Sequence, residues 1–72
     1  MNSSWFEVWG DLGLSPPYLL IVMAYEGANS HYEVIDPQDE CKCVYRASSY
    51  DEVKYWLGED EYEHLSERIS ED

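Results

Sequence analysis

The run Tyr18 to Tyr25, YLLIVMAY, most constrains what this chain can become, because it is uninterruptedly apolar and its flanks stop it growing. A bilayer-spanning helix needs about twenty such residues. This segment is far shorter, and it is bounded by Pro16-Pro17 on one side and Glu26-Gly27 on the other. It reads as a central strand buried on both faces, which the rest of the chain must cover. With 72 residues there is room for one domain, residues 1-72. A domain of this size hides only about 60% of the surface its unfolded chain exposes. Its thin core must rely on aromatics, each able to bury on the order of 150–250 Å².

Trp5 to Trp9, WFEVW, is rich in strand formers and forms a first strand, with Phe6 and Val8 on one side and Trp5, Glu7 and Trp9 on the other. Gly10 to Pro17 is a loop, punctuated by glycines and closed by the diproline, whose leucines Leu12 and Leu14 are expected to fold back onto the core. Glu26 to Ser30 is a turn, His31 to Asp36 a third strand, Pro37 to Glu40 a second turn and Cys41 to Ala47 a fourth strand. A four-residue connection pairs Val34 with Cys43 and Tyr32 with Tyr45, and places Leu20, Val22 and Ala24 on the same apolar face. The opposite face carries Leu19, Ile21, Met23, Tyr25, Ile35 and Val44, with His31, Glu33, Lys42 and Arg46 among them. That second face is too apolar for open water.

Ser49-Tyr50-Asp51-Glu52 has the form of a capping box, and Tyr50, Val53 and Leu57 follow at helical spacing, with Trp56 beside them. Beyond Gly58 the stripe Tyr62, Leu65 and Ile69 is rotated away from it. This predicts a second helix or a kink, with Glu59, Asp60 and Glu61 in a first turn where negative charge suits the dipole; Ser70 to Asp72 is expected to fray. The fold class expected is α+β: a small four-stranded antiparallel meander with one or two C-terminal helices packed on one face.

Sixteen acidic residues against four basic ones give a net charge of -12. That balance disfavours direct contact with nucleic acid or an anionic membrane and favours encounter with a basic protein surface. The N-terminus shows no signal peptide, and the two cysteines are too few for an oxidised mini-domain, so a reducing cytoplasm is expected.

Cys41-Lys42-Cys43 could offer two soft ligands, but with only His31 and His64 to complete a set, no metal is expected. His64, one turn after Asp60, has the look of a base beside a carboxylate, yet no nucleophile is placed to meet it, and it reads as a surface histidine. Asp36 to Glu40 lacks the ligand spacing of a calcium loop and reads as a polar turn. No catalytic residue and no cofactor are expected.

Nine of the sixteen acids fall between Asp51 and Asp72, against Lys54 and Arg68 alone. The partner-binding candidates are therefore Asp51, Glu52, Glu59, Asp60, Glu61, Glu63 and Glu67, with Tyr55 and Tyr62 as aromatic anchors. Solubility alone could account for the same acids. In size, charge and class the chain is similar to phage-encoded inhibitors of bacterial defence nucleases, such as anti-CRISPR proteins, and to immunity proteins against nuclease toxins. The similarity implies a non-enzymatic inhibitor of a basic, nucleic-acid-binding protein. The alternative is a homodimeric or subunit-type interaction module that uses the second sheet face.

Overall fold

The strand at Tyr18–Tyr25 (β2) lies inside an antiparallel sheet, between Trp5–Asp11 (β1) and His31–Asp36 (β3). These assignments come from a computed structural model that describes residues 5–27 and 29–70. Ala28 of the β2–β3 turn, and Glu71 and Asp72 of the segment expected to fray, lie outside the described residues, as does the start of the N-terminus. Lys42–Ala47 (β4) pairs with β3, and Tyr50–Glu59 (α1) is the one α-helix among the described residues. Two short strands follow, Glu63–His64 (β5) and Ile69–Ser70 (β6). The strand order is β4-β3-β2-β1-β5, with β6 also on β1.

Burial alternates along β2, so this strand is fully buried on one face only and not on both as expected. Leu20, Val22 and Ala24 are buried, and Leu19, Ile21, Met23 and Tyr25 are half-buried. Trp9, Leu20, Val22, Val34 and Ala47 of the sheet meet Val53 and Leu57 of α1 in the main core. Tyr45 and Trp56 stack with ring centroids 4.6 Å apart, fixing α1 against β4. The helix starts where its cap dictates: the Ser49 hydroxyl accepts the Glu52 amide at 3.3 Å, and the Glu52 carboxylate accepts from the hydroxyls of Ser49 and Ser48.

The chain departs from the expected four-stranded sheet at its C-terminus, where β5 and β6 extend the sheet; of the one or two helices expected there, α1 alone is present among the described residues. The reason is the outer edge of β1, whose backbone groups would otherwise be unpaired. Trp9 and Gly10 pair with His64 and Glu63, and Trp5 and Phe6 pair with Ser70 and Ile69. Between them the Val8 carbonyl accepts the Leu65 amide at 2.8 Å, and the Val8 amide donates to the Ser66 hydroxyl at 2.9 Å. Gly10 makes room for this strap, since a Cβ there would come within 2.7 Å of Leu65 Cδ1. The helical stripe is undone as well: Tyr62 packs on the core, whereas Leu65 and Ile69 are exposed.

A second correction lies in the β3–β4 hairpin. Its connection runs through a 3-10 turn, Pro37–Asp39, and then Glu40 and Cys41, both with left-handed backbone. The ladder pairs Ile35 with Cys43 and Val34 with Tyr45, so Val44 is an extra residue in β4. Tyr32 consequently faces Ala47, and Tyr45 faces Val34. A shift of one residue exchanges the faces of a strand, so Cys43 leaves the expected core position and both cysteines are exposed and unbridged. Lys42, in turn, falls opposite Asp36. Leu12 and Leu14 are also exposed instead of folding back.

Candidate functional site

The expected partner-binding residues occupy α1, the turn that ends it and the strap that follows. On α1, Asp51, Glu52, Tyr55 and Glu59 fall on the side away from the buried Val53 and Leu57, and all four are exposed. Tyr55 is 72% exposed, the most of any large hydrophobic residue described. Glu63 and Glu67 on the strap are exposed too, but Tyr62 is half-buried against the core, where burial raises its pKa. Tyr62 thus packs on the core, and Tyr55 is the more exposed of the two aromatic candidates.

Glu59, Asp60 and Glu61 do not begin a helix; they end one. The Glu61 amide donates to the Gly58 carbonyl at 3.1 Å and the Tyr62 amide to the Leu57 carbonyl at 3.1 Å, with Glu61 itself at φ 61°. This is a left-handed helix cap, closed by Tyr62 packing on the core that holds Leu57. The usual residue at its pivot is glycine. Here it is glutamate, and the last turn of α1 carries no basic residue. Carboxylates at the negative end of a helix oppose its dipole by about 0.3–1 kcal/mol each. Three together build a strongly negative spot.

The cations do little to offset it. Arg46 pairs with Glu33, Arg68 with Glu7, and Lys54 with Asp51 at 3.8 Å. Among the described residues no cation lies within ion-pair distance of Glu59, Asp60, Glu61, Glu63 or Glu67.

A second cluster lies beneath the strap. Glu7, 1% exposed, faces α1 between Trp5 and Trp9. Its Oε1 accepts from the Tyr50 hydroxyl at 2.6 Å and from Trp9 Nε1 at 3.1 Å; its Oε2 accepts from Arg68 Nε at 3.3 Å and faces His64 Nε2 at 3.5 Å. Burial, and then the bond to Glu7, push the Tyr50 hydroxyl up to a pKa of about 12. His64 stacks on Trp9 with centroids 5.0 Å apart and is exposed, a surface histidine as expected, but its carboxylate neighbour is Glu7 and not Asp60. No serine or cysteine side chain bonds it among the described residues, and the Ser66 hydroxyl is engaged by Val8. Three donors, from Tyr50, Trp9 and Arg68, converge on one carboxylate, with the His64 ring beside it.

His31 stacks on Tyr25 at 4.9 Å and contacts Glu33, which also holds Arg46. Asp36 anchors the β3–β4 turn. Burial opposes its charge, but bonds from the Tyr18 hydroxyl, the Gln38 side chain and backbone amides outweigh that and hold its pKa below the ordinary 3.8. Gln38 in turn pairs its side-chain amide with both backbone groups of Leu19. Among the described residues no three His, Cys, Asp or Glu side chains gather as a metal site, and no helix is long and apolar enough to cross a membrane.

Sequence reasoning missed Glu7 and Arg68. The available signal was a lone carboxylate sharing a strand face with two tryptophans, which cannot be buried without a cationic partner. No family model, curated protein or solved structure matches the chain.

Proposed function

We propose that this protein is a non-enzymatic acidic binding protein, whose exposed carboxylates around the end of α1 dock onto and block a basic, nucleic-acid-binding protein. The observation that carries this reading is the placement of Glu59, Asp60 and Glu61 where the helix dipole disfavours them, with no cation among the described residues within ion-pair distance. Local rules of stability tend to be broken where function requires it. Tyr55, four residues before Glu59 and largely exposed, supplies the aromatic anchor that a charged rim lacks. Host lysate passed over immobilised protein in a salt series tests the reading. Basic nucleic-acid-binding proteins should be retained at low salt, released as salt rises, and lost from a Glu59→Lys, Asp60→Lys, Glu61→Lys variant. An unchanged set of captured proteins would refute it.

A second reading, a homodimer, is favoured by the sheet face opposite α1. Phe6, Val8, Leu19, Ile21, Met23 and Ile35 stay half-buried there, and Val44 and Leu65 are exposed at 38% and 42%. On that face Arg46 and His31 both contact Glu33. Sedimentation equilibrium decides it: a dimer that Ile21→Lys dissociates supports the reading, and a strict monomer ends it.

A further inference from the structure

We propose that the recess lined by Trp5, Tyr50 and Glu7 is a guanidinium-binding site which the chain fills with its own Arg68, and that an arginine side chain of the basic partner takes it in exchange. This rests on the reading of a basic partner given above and names the chemistry that partner presents.

The recess has the three parts that recognise a planar cation. Arg68 Cζ lies 4.1 Å from the centroid of the Trp5 ring and 5.1 Å from that of Tyr50, both within the roughly 6 Å over which a ring face attracts a cation. The two rings meet edge-on, 5.6 Å apart at 75°, so they form two walls of a corner. At its base the Glu7 carboxylate accepts the Arg68 Nε–H. A flat, delocalised cation suits this corner better than a compact ammonium.

The walls of the recess belong to a long, fully paired strand and to α1, whereas its occupant sits on a short strap. Trp5 and Glu7 belong to a seven-residue strand paired along its whole length with β2. Arg68 sits on the strap, beside a two-residue strand, with its side chain 55% exposed and Glu67 and Ile69 exposed on either side. Segments with few buried contacts open at small cost. When the strap lifts, Glu7 remains within the fold while a strong cationic partner departs. Glu7 then keeps Tyr50 and Trp9 as neutral donors but has no cation against its charge, which disfavours the open state. The opened recess therefore selects for another cation, and its aromatic walls select for arginine.

The test uses the full chain and N-acetyl-arginine methylamide as probe, with the lysine analogue as control. An Arg68→Ala variant should melt lower than wild type. The arginine probe should restore its melting temperature and shift the Trp5 indole resonance, binding about tenfold more tightly than the lysine analogue. Adding Glu7→Gln to that variant should abolish the effect. Should Arg68→Ala not fold, wild type titrated with an arginine-rich peptide should show the same Trp5 shift together with faster amide exchange at residues 63–70. A Trp5 resonance unmoved by either probe overturns the proposal. A shift that the lysine analogue matches overturns the guanidinium assignment. The outcome is separable from the broader reading: arginine binding that survives Glu59→Lys, Asp60→Lys, Glu61→Lys while lysate capture shows no basic partner leaves the recess standing and removes the docking function. Capture of a basic partner with Trp5 unmoved does the reverse.

Discussion

The Tyr50 hydroxyl donates to Glu7 Oε1 at 2.6 Å, joining the first residue of α1 to the middle of β1 across 43 positions of sequence. This bond ties the helix to the strand whose outer edge the C-terminal strap covers. It also places a phenol beside a carboxylate in a site sheltered from water, and this gives the fold a response to alkaline pH.

Tyr50 is held neutral in the folded state, its pKa raised from 10.0 to about 12, first by burial and then by the hydrogen bond to Glu7. In the unfolded chain it ionises near its ordinary value. The stabilisation it gives is therefore intact below the ordinary value and is lost as pH rises through the folded one. Urea melts should show stability falling across that window in wild type. The fall should be shallower in Tyr50→Phe, which starts lower because a hydrogen bond to a charged group, worth about 1.5–3 kcal/mol, is gone. Parallel pH profiles for the two proteins would contradict the assignment.

Removing Glu7 should cost more than removing Arg68. Glu7→Ala leaves Tyr50, Trp9 and Arg68 without their common acceptor and should destabilise by about 3–5 kcal/mol, enough to unfold a chain this small. Arg68→Ala removes a half-exposed cation and its ring contact and should cost about 1 kcal/mol. Glu7→Gln keeps one acceptor and should fall between them. Equal losses for the Glu7→Ala and Arg68→Ala variants, in denaturant titration, would show that the strap and not the carboxylate organises the cluster.

Asp36 works at the other end of the pH scale. Its folded pKa lies below 3.8, because the donors around it outweigh its burial. A lowered carboxyl contributes stability above its unfolded value that disappears as pH falls through the folded one. Acid titration of wild type should therefore show a loss of stability below that value, with the β3–β4 turn opening first by amide exchange. Tyr18→Phe, which lacks one donor to Asp36, should move the loss to higher pH. A transition unmoved by that change would remove Tyr18 from the account.

The parts of this fold legible in the sequence are those written in local periodicity. The uninterrupted apolar run YLLIVMAY, the Ser49 cap and the spacing of Val53 and Leu57 each need only neighbouring residues to be read. The strap could not be read this way. Tyr62, Leu65 and Ile69 have helical spacing, and what overrides it is the unpaired edge of β1, some sixty residues away. Val44 is similar in kind: one extra residue, invisible as a pattern, moves Cys43 to the other face. The acidic surface was legible because exposure follows from charge. The Glu7–Arg68 pair was not, since only the strap brings those two residues together.

That displacement of Cys43 is directly measurable. Both thiols are exposed, so both should react with a thiol reagent in native buffer at rates close to those in denaturant. A strongly protected Cys43 would restore the core position that an unshifted β3–β4 ladder gives it.

The most informative substitution is Glu61→Gly. Glu61 holds a left-handed backbone at φ 61°, which glycine adopts without a steric penalty, and its charge lies at the negative end of α1. Both effects run the same way, so the change should stabilise the fold by about 1 kcal/mol in a denaturant titration. A chain under selection for stability alone gains by this replacement. If the carboxylates at this helix end exist to meet a basic partner, the same variant should bind that partner more weakly while melting at a higher temperature. Asn at the same position tolerates the backbone but lacks the charge, and should weaken binding as glycine does with a smaller gain in stability. Higher stability with undiminished binding would mean that Glu61 serves neither the fold nor the interface, and the acidic surface proposed here would have to lie elsewhere on the chain.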